Sequence, residues 1–402
     1  MTVNSLAAAH PEPRSPTSVL SGIFFLSIGM LIFQISLTRL FAITMFHHFG
    51  YLIVSLALLG IGASGTFLAI SRIAEKSDEE INKYLSIGSL LTGVTMILSF
   101  MISSRMTTDS LQIWRHARDM ISLAVTLVIM SVPFFTGGMV IGICLSRYAR
   151  QVGTLYFSDL VGAGLGAVFS PILLSNFGLT GTMVSAACFA LLGSLMYSLK
   201  SPRSYRIVNA VVLAVSLILF IGFSGGALII PAMHWNIRFA PHKLTSLFPN
   251  GRSETVIYSP VAQVDVSERL QAKMAMGGEF GKINRQEVQL KIVTQDGEAP
   301  TFLIQNASNL ERFPSLDDAQ AGSSYLTYKT TGRSHPDVMV IGVGGGIDIM
   351  MARSNNARSI TAVEINRGMI DLVTKRYTKF IGNLFDNPKI SLIHEDGRSH
   401  LR

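Results

Sequence analysis

The run Asp337-Val-Met-Val-Ile-Gly342-Val-Gly344-Gly-Gly346-Ile-Asp348, continued by Ile360-Thr-Ala-Val-Glu364, decides the fold of the C-terminal part of this chain. A β-branched run, a glycine turn, a helix start and a second apolar run ending in an acid read as the opening of a Rossmann-type nucleotide-binding domain. Glu364 follows the turn by about 20 residues, the spacing at which an acid reaches a ribose. Context matters more than the glycines themselves. Gly60-Ile-Gly62-Ala-Ser-Gly65 and Gly162-Ala-Gly164-Leu-Gly166 have similar spacing, but both lie in long uncharged stretches with no acid-terminated strand behind them. Small residues there let helix backbones approach closely in lipid.

Working outward, the rest of the chain reads as membrane. Its 402 residues are 49% hydrophobic and 14% charged, against about a quarter charged in a soluble domain; mean hydropathy is +0.43. Acids and bases crowd into the C-terminal part. The net charge of +8 reads as juxtamembrane Lys and Arg facing anionic lipid, and without aromatic-basic interleaving no nucleic-acid partner is expected. Cys144 and Cys188 fall in apolar spans and form no C-x-x-C pair, so neither a disulfide framework nor a metal site is expected.

Residues 1–17 form a polar, Pro-containing segment, and the apolar stretch behind it is too long for a signal-peptide core, so it reads as a first span and not as a cleavable leader. The expected transmembrane domain, 18–235, has about seven spans at 19–37, 51–70, 84–102, 120–145, 160–174, 179–199 and 207–230. Residues 161–199 hold no charge at all, which predicts a helical hairpin turning at Ser175-Asn-Phe-Gly178. Pro133 with Gly137-Gly138, and Pro171, predict kinks or breaks. Arg72, Lys76 and Lys83, then Arg147 and Arg150, then Lys200, Arg203 and Arg206 mark loops on one side, which the positive-inside rule makes cytoplasmic. Seven spans then place the C-terminal domain outside, whereas an adenosyl cofactor requires it in the cytoplasm; Arg105, Arg115 and Arg118 on the opposite loop weaken the charge signal. The expectation adopted is a cytoplasmic C-terminal domain.

A small β-rich domain is expected over 236–330, with strands at 255–258, 262–267, 288–294 and 301–304 and a hairpin turn at Gln295-Asp296-Gly297. A partial Rossmann-like domain follows over 331–402: strand 338–341, helix 348–353, strand 359–363, helix 367–376 and strand 389–393. A doubly wound sheet needs more strands, so this domain is expected to be truncated or completed from elsewhere.

A dinucleotide fingerprint starting at Gly342 or Gly344 requires glycine at position 347 or 349, and both are Ile. The G-x-G-G-G spacing suits the shorter turn of folds that bind S-adenosylmethionine, with Gly342, Gly344 and Gly346 passing close to the ligand and Glu364 accepting from the ribose hydroxyls. Asp396, after the third strand, can accept from an adenine amine or cap the next helix. Asp348 can meet the amino-acid end of the cofactor or N-cap the helix that it begins. In the membrane part, His47 and His48 at a span boundary and Asp159 near the start of another are either substrate or transport groups or snorkelling and capping residues.

Strand-Gly342-Val-Gly-Gly-Gly-Ile-Asp348, Val-Glu364-Ile-Asn366, Gly382-Asn-Leu and Asp396-Gly-Arg398 together resemble the spermidine synthase (aminopropyltransferase) family, in particular its membrane-fused members. Phe46-His47-His48-Phe49 with Ser55-Leu-Ala-Leu-Leu-Gly60, Tyr156-Phe-Ser-Asp159-Leu-Val-Gly162-Ala-Gly-Leu-Gly166 and Glu254-Thr-Val-Ile-Tyr258-Ser-Pro260 are similar to that group's first loop, mid-bundle helix and opening β strand. The resemblance implies S-adenosylmethionine or its decarboxylated form as cofactor, a small-molecule amine as acceptor besides membrane lipids as partners, and a bacterial inner-membrane location. Departures are specific. The family's G-G-G-D-G-G is Gly-Val-Gly-Gly-Gly-Ile here with its acid three positions later, and its Tyr-His-Glu cluster is reduced to Tyr325-Leu-Thr327. The catalytic aspartate after a fourth strand is not reached before Arg402, so no catalytic residue is assigned. The expected function is a membrane-anchored transferase of this kind, inactive in transfer as this chain stands. The alternative is a transporter or sensor whose cytoplasmic domain binds an adenosyl ligand without chemistry.

Overall fold

The computed structural model describes residues 17–106, 108–109, 113–223, 235, 237–248, 253–271, 289–312, 327–328 and 330–402. The polar N-terminal segment, the end of the span expected at 207–230, and Tyr325 lie outside the described residues. The chain divides into two compact units, Met1–Arg238 and Phe239–Arg402.

The first unit is helical: α1 (Thr17–Thr44), α2 (Tyr51–Ser71), α3 (Asp78–Ser103), α4 (Ala117–Arg147), α5 (Val152–Ser198) and α6 (Arg203–Phe223). All six are long and apolar enough to cross a membrane, and apolar side chains stay exposed on their outer faces, among them Leu58, Phe67, Phe157, Val211 and Ile218. An apolar surface of this extent fits lipid better than water. Seven expected spans appear as six continuous helices because 160–174 and 179–199 run together in α5 across Gly178, whose φ of 64° and ψ of −175° are not helical. Chain direction reverses there. Ser158 donates to the Leu20 carbonyl at 2.8 Å, and Gly162 and Gly166 face Phe24 and Ile28, so this half of α5 runs parallel to α1. Beyond Gly178, Ala186 faces Gly29 while Gly193 faces Gly22, an antiparallel order. Glycine at 178 is required because an L side chain rarely adopts that backbone conformation. Neither Pro133 nor Pro171 breaks its helix, contrary to one of the expected outcomes.

Glycines set the helix spacing, though not all those expected. A Cβ on Gly162 would overlap the Phe24 carbonyl oxygen, on Gly166 it would lie 2.8 Å from the Ile28 carbonyl oxygen, and on Gly60 2.8 Å from that of Ser131. Gly62, Gly65 and Gly164 meet nothing within 4 Å. Packing is therefore the role of Gly60, Gly162 and Gly166, and the glycines between them face outward because a helix turns 100° per residue. Gly162→Ala should lower stability by about 1–3 kcal/mol by forcing α1 and α5 apart. Gly62→Ala should leave it unchanged or raise it by up to about 1 kcal/mol through helix propensity. Thermal unfolding in detergent checks the pair, and equal losses would contradict the assignment.

At one end of the bundle, Arg147 of α4 pairs with Asp78 of α3 at 2.6 Å. Near it a buried polar clamp joins three helices: Asn209 of α6 donates to Ser86 Oγ of α3 at 2.7 Å and accepts from Ser194 Oγ of α5 at 3.0 Å. In an apolar surrounding such side-chain bonds hold helices together and fix their register. At the other end of α3, Trp235 donates to Ser104 Oγ at 2.7 Å and Arg105 lies over its ring at 4.4 Å.

In the second unit, β1 (Thr255–Ile257), β2 (Val264–Val266), β3 (Leu270–Gln271), β4 (Gln289–Gln295) and β5 (Glu298–Ile304) form an antiparallel sheet in the order β1-β2-β4-β3, with β5 on β4. The expected turn joins β4 to β5, with Asp296 and Gly297 at φ of 51° and 74°, the paired left-handed conformation of a tight hairpin. β6 (Asp337–Ile341), β7 (Ser359–Glu364) and β8 (Ile390–His394) then form a parallel sheet in the order β6-β7-β8. The helix Ile347–Ser354 lies between β6 and β7; the helix expected at 367–376 is α-helical only over Arg367–Asp371 and widens into a π turn over Leu372–Arg376. Val264, Val266, Val293 and Leu303 of the first sheet share one core with Val340, Ile360 and Ala362 of the second and with Ile349, Met369 and Leu384 of the helical segments around it. The β-rich stretch from Phe239 and the parallel-strand stretch to Arg402, expected as two domains, thus form a single packed unit.

Polar side chains join the two sheets as well. Tyr377, after the π turn, donates to Glu254 Oε1 at 2.9 Å and meets Thr255 Oγ1 at 2.8 Å. Buried Lys291 of β4 pairs with Glu254 and lies over the Tyr377 ring at 5.4 Å. Burial opposes the charge of Glu254, yet hydrogen bonds from Lys291 and Tyr377 prevail and hold its carboxyl below the ordinary range.

Candidate functional site

Parallel pairing brings the carboxyl ends of β6, β7 and β8 to one edge, and the residues singled out in sequence follow those ends. Gly342 N donates to the Val363 carbonyl at 2.9 Å, which ties the glycine turn to the strand that ends in Glu364. Glu364 in turn pairs with His394 in register, two residues before Asp396. Ligands of open α/β sheets bind outside this edge of the strands.

Each glycine of the turn has its own reason. Gly342, Gly344 and Gly346 have φ of 81°, 54° and 94°, the left-handed region that disfavours any Cβ. Gly342 alone opens onto free space; Gly344 abuts Thr301 of β5, and Gly346 abuts Leu384. That leucine follows Gly382 and Asn383, both left-handed as well (φ 70° and 56°), and this turn brings Leu384 against Gly346. Gly345 is pinned from the other side: its N–H donates to Thr301 Oγ1 at 2.8 Å, and a Cβ there would overlap the Phe302 carbonyl oxygen.

Glu364 is buried at 4% exposure, and its Oε1 accepts from the Asn366 N–H at 2.9 Å. Asn366 caps the following helix through its Oδ1, which accepts from Gly368 N at 2.9 Å, and its amide donates to Gln295 Oε1 at 2.7 Å. The hairpin turn of the antiparallel sheet is therefore anchored beside Glu364. Asp396 is exposed, and its Oδ1 accepts from Ser399 N at 3.0 Å and Ser399 Oγ at 3.2 Å, so it caps the short helix Gly397–His400.

Asp348 does not N-cap its helix. Gly346 holds that position, and Asp348 stands in the first turn, where its charge favours the helix dipole. It lines a cleft of about 400 Å³ along the outer edge of β6, with Thr327, Tyr328, Thr331 and Ile341. Burial, and then the charge of Asp348, push the Tyr328 phenol above its ordinary range. Glu364 and Asp396 do not line this cleft. The six residues share one sheet edge without sharing one cavity.

In the sequence Thr301 and Gln295 read only as strand and turn residues, and their contacts with the glycine turn and with Asn366 are missed. Each belongs to the antiparallel sheet, 40 or more residues before the glycine turn in the case of Thr301, and no local pattern announces such a contact. Among the described residues no group of His, Cys, Asp and Glu is arranged to hold a metal ion. In the first unit, His47 and His48 are exposed; His48 stacks on Phe46, lies tilted against Phe49 and meets His47 edge-on, whereas Asp159 accepts from Ser27 between α5 and α1. No protein-family model and no curated protein matches the chain.

Proposed function

We propose that the Phe239–Arg402 unit binds an adenosyl ligand, S-adenosylmethionine or its decarboxylated form, as part of a membrane-anchored transferase similar to spermidine synthases. One observation carries this reading: a turn with three left-handed glycines is tied to the parallel strand that ends in the buried carboxylate of Glu364. The order β8-β7-β6 corresponds to the first half of a doubly wound sheet. Some of the turn's N–H donors are also withdrawn from any pyrophosphate. Three of its donors are used internally, Gly342 to Val363, Gly345 to Thr301 and Gly346 to Val343.

In such a reaction an amine lone pair attacks the carbon next to the sulfonium, the C–S bond breaks with its electrons going to sulfur, and the amine loses a proton. Orientation of the two partners supplies most of the acceleration. Asp348, which lines the cleft beside β6, would accept from the ammonium group at the cofactor's amino-acid end.

Calorimetry on the full chain in detergent tests the ligand. S-adenosylmethionine, its decarboxylated form or 5′-methylthioadenosine should bind more tightly than NAD, and Glu364→Ala should weaken that binding by about 1–3 kcal/mol through lost charge-assisted hydrogen bonds. Tighter NAD binding, or no effect of Glu364→Ala, would overturn the reading.

A cytosolic ligand also constrains the membrane part. With α5 counted as a hairpin the chain crosses seven times. Trp235 docks beside Ser104, at the end of α3 remote from Asp78. We place that end, with Arg105, Arg115 and Arg118, in the cytoplasm, and the loops around 72–83, 147–150 and 200–206 on the other side. A cysteine introduced at Lys200 should then react with an impermeant maleimide added outside intact cells; protection until lysis would reverse the assignment.

A further inference from the structure

The start of α6 combines features that are unfavourable together unless an anion is present. A helix N-terminus carries partial positive charge and favours acids, yet the first turn of α6 has no acid and contains Arg203 and Arg206, with Lys200 just before it. Among the described residues none of these three cations forms an ion pair. At the same end of the bundle three cations of neighbouring elements are neutralised, Lys76 by Glu80 at 3.3 Å, Lys83 by Glu79 at 2.7 Å and Arg147 by Asp78 at 2.6 Å, while Arg72 has no ion pair among the described residues. Beside this first turn, between α3 and α6, lies a cavity of about 400 Å³ lined by Ser86, Ser204, Tyr205 and Asn209 with apolar Ile87 and Leu90. Ser86 and Asn209 satisfy each other in the polar clamp, but the hydroxyls of Ser204 and Tyr205 make no hydrogen bond among the described residues. The hydroxyl of Ser201, 6% exposed at the same helix start, is buried without a partner. Deeper along the same two helices the outward faces are apolar, with Leu91 and Leu98 on α3 and Val211, Val215 and Ile218 on α6 exposed.

We propose that this cavity is a binding site for one anionic phospholipid. Its phosphate would be held by Arg203, Arg206 and the free hydroxyls of Ser204 and Tyr205, and its acyl chains would lie along α3 and α6. Charge complementarity selects the occupant: unpaired cations and a helix N-terminus favour a phosphodiester anion, and apolar helix faces beneath favour a ligand with hydrocarbon tails. The site is independent of any adenosyl ligand.

The test uses the full chain, delipidated in non-ionic detergent and titrated with dioleoyl phosphatidylglycerol or dioleoyl phosphatidylcholine, with bound lipid counted by native mass spectrometry and stability followed by thermal shift. Phosphatidylglycerol should bind as one tight equivalent and raise the unfolding midpoint, with phosphatidylcholine much weaker. Arg203→Gln/Arg206→Gln should weaken phosphatidylglycerol by roughly thirtyfold, about fivefold per charge, whereas Lys76→Gln should leave it unchanged. Leu90→Trp, which fills the cavity without altering charge, should also reduce binding. Equal binding of the two lipids by the wild-type chain would overturn the proposal even if no variant folds. So would a double variant within twofold of wild type, or inorganic phosphate that stabilises as well as the lipid.

Discussion

Gly345→Ala is expected to destabilise the Phe239–Arg402 unit by more than about 4 kcal/mol, enough to unfold it. The methyl group would be driven into the Phe302 carbonyl oxygen of β5, and the next nearest atoms, Phe302 C and Leu303 N, are backbone as well. A side chain could rotate away; a central stretch of β5, paired with β4 from Leu290 to Gln295, cannot move without opening the ladder. The same shift would break the Gly345 to Thr301 hydrogen bond and separate the two halves of the shared core. Gly342→Ala is the control. It meets no atom within 4 Å but has a φ of 81°, so only backbone strain of about 1–2 kcal/mol applies. Thermal unfolding and limited proteolysis of the full chain in detergent measure both. A Gly345→Ala midpoint within a few degrees of wild type would show that β5 does not seat against the turn.

Asp265→Asn should have the opposite sign and a marked pH dependence. Asp265, on β2, is 1% exposed, and burial pushes its carboxyl from 3.8 up to about 6. Ser253 Oγ at 2.8 Å and Gln263 Nε2 at 3.0 Å donate to it and favour the charged form, but they do not offset the burial, and the Asp296 charge adds to the rise. A raised folded-state value means that stability from the protonated acid is fully present below about pH 4 and is lost as pH rises through about 6. Two pKa steps at 1.36 kcal/mol each amount to about 3 kcal/mol of cost at pH 7. An uncharged amide avoids that cost, so the variant should gain about 2–3 kcal/mol over wild type at pH 7 and little or nothing at pH 4. Denaturant unfolding of the full chain at both pH values checks this. A gain that does not change between pH 4 and pH 7 would remove titration as its cause.

Part of this was legible in the one-dimensional pattern because its cause is local. Spans long enough to cross a bilayer, the reversal at Gly178, the hairpin at Asp296-Gly297 and the strand–turn–helix around Gly342 each follow from hydropathy length or from residues that permit a positive φ. Other features depend on partners distant in sequence. Spacing could nominate Gly62 and Gly162 equally, but only packing against α1 shows that Gly162 is indispensable while Gly62 faces outward. Asp396 and Asp348 were open between ligand and capping roles. Hydrogen bonds from Ser399 make Asp396 a cap, and Gly346 at the N-cap removes that role from Asp348.

What the sequence by itself determined is the division of labour: an apolar helical bundle, a β-rich stretch, and a parallel strand unit opened by a glycine turn, all set by composition and by backbone freedom. Only the tertiary structure decided that the antiparallel sheet seats directly on that turn through Thr301 and Phe302, that Gln295 and Asn366 anchor its hairpin beside Glu364, and that a cavity opens between α3 and the first turns of α6. The reason is physical. Torsional preference and hydropathy act within a few residues, whereas packing and charge compensation depend on which distant segments share a core.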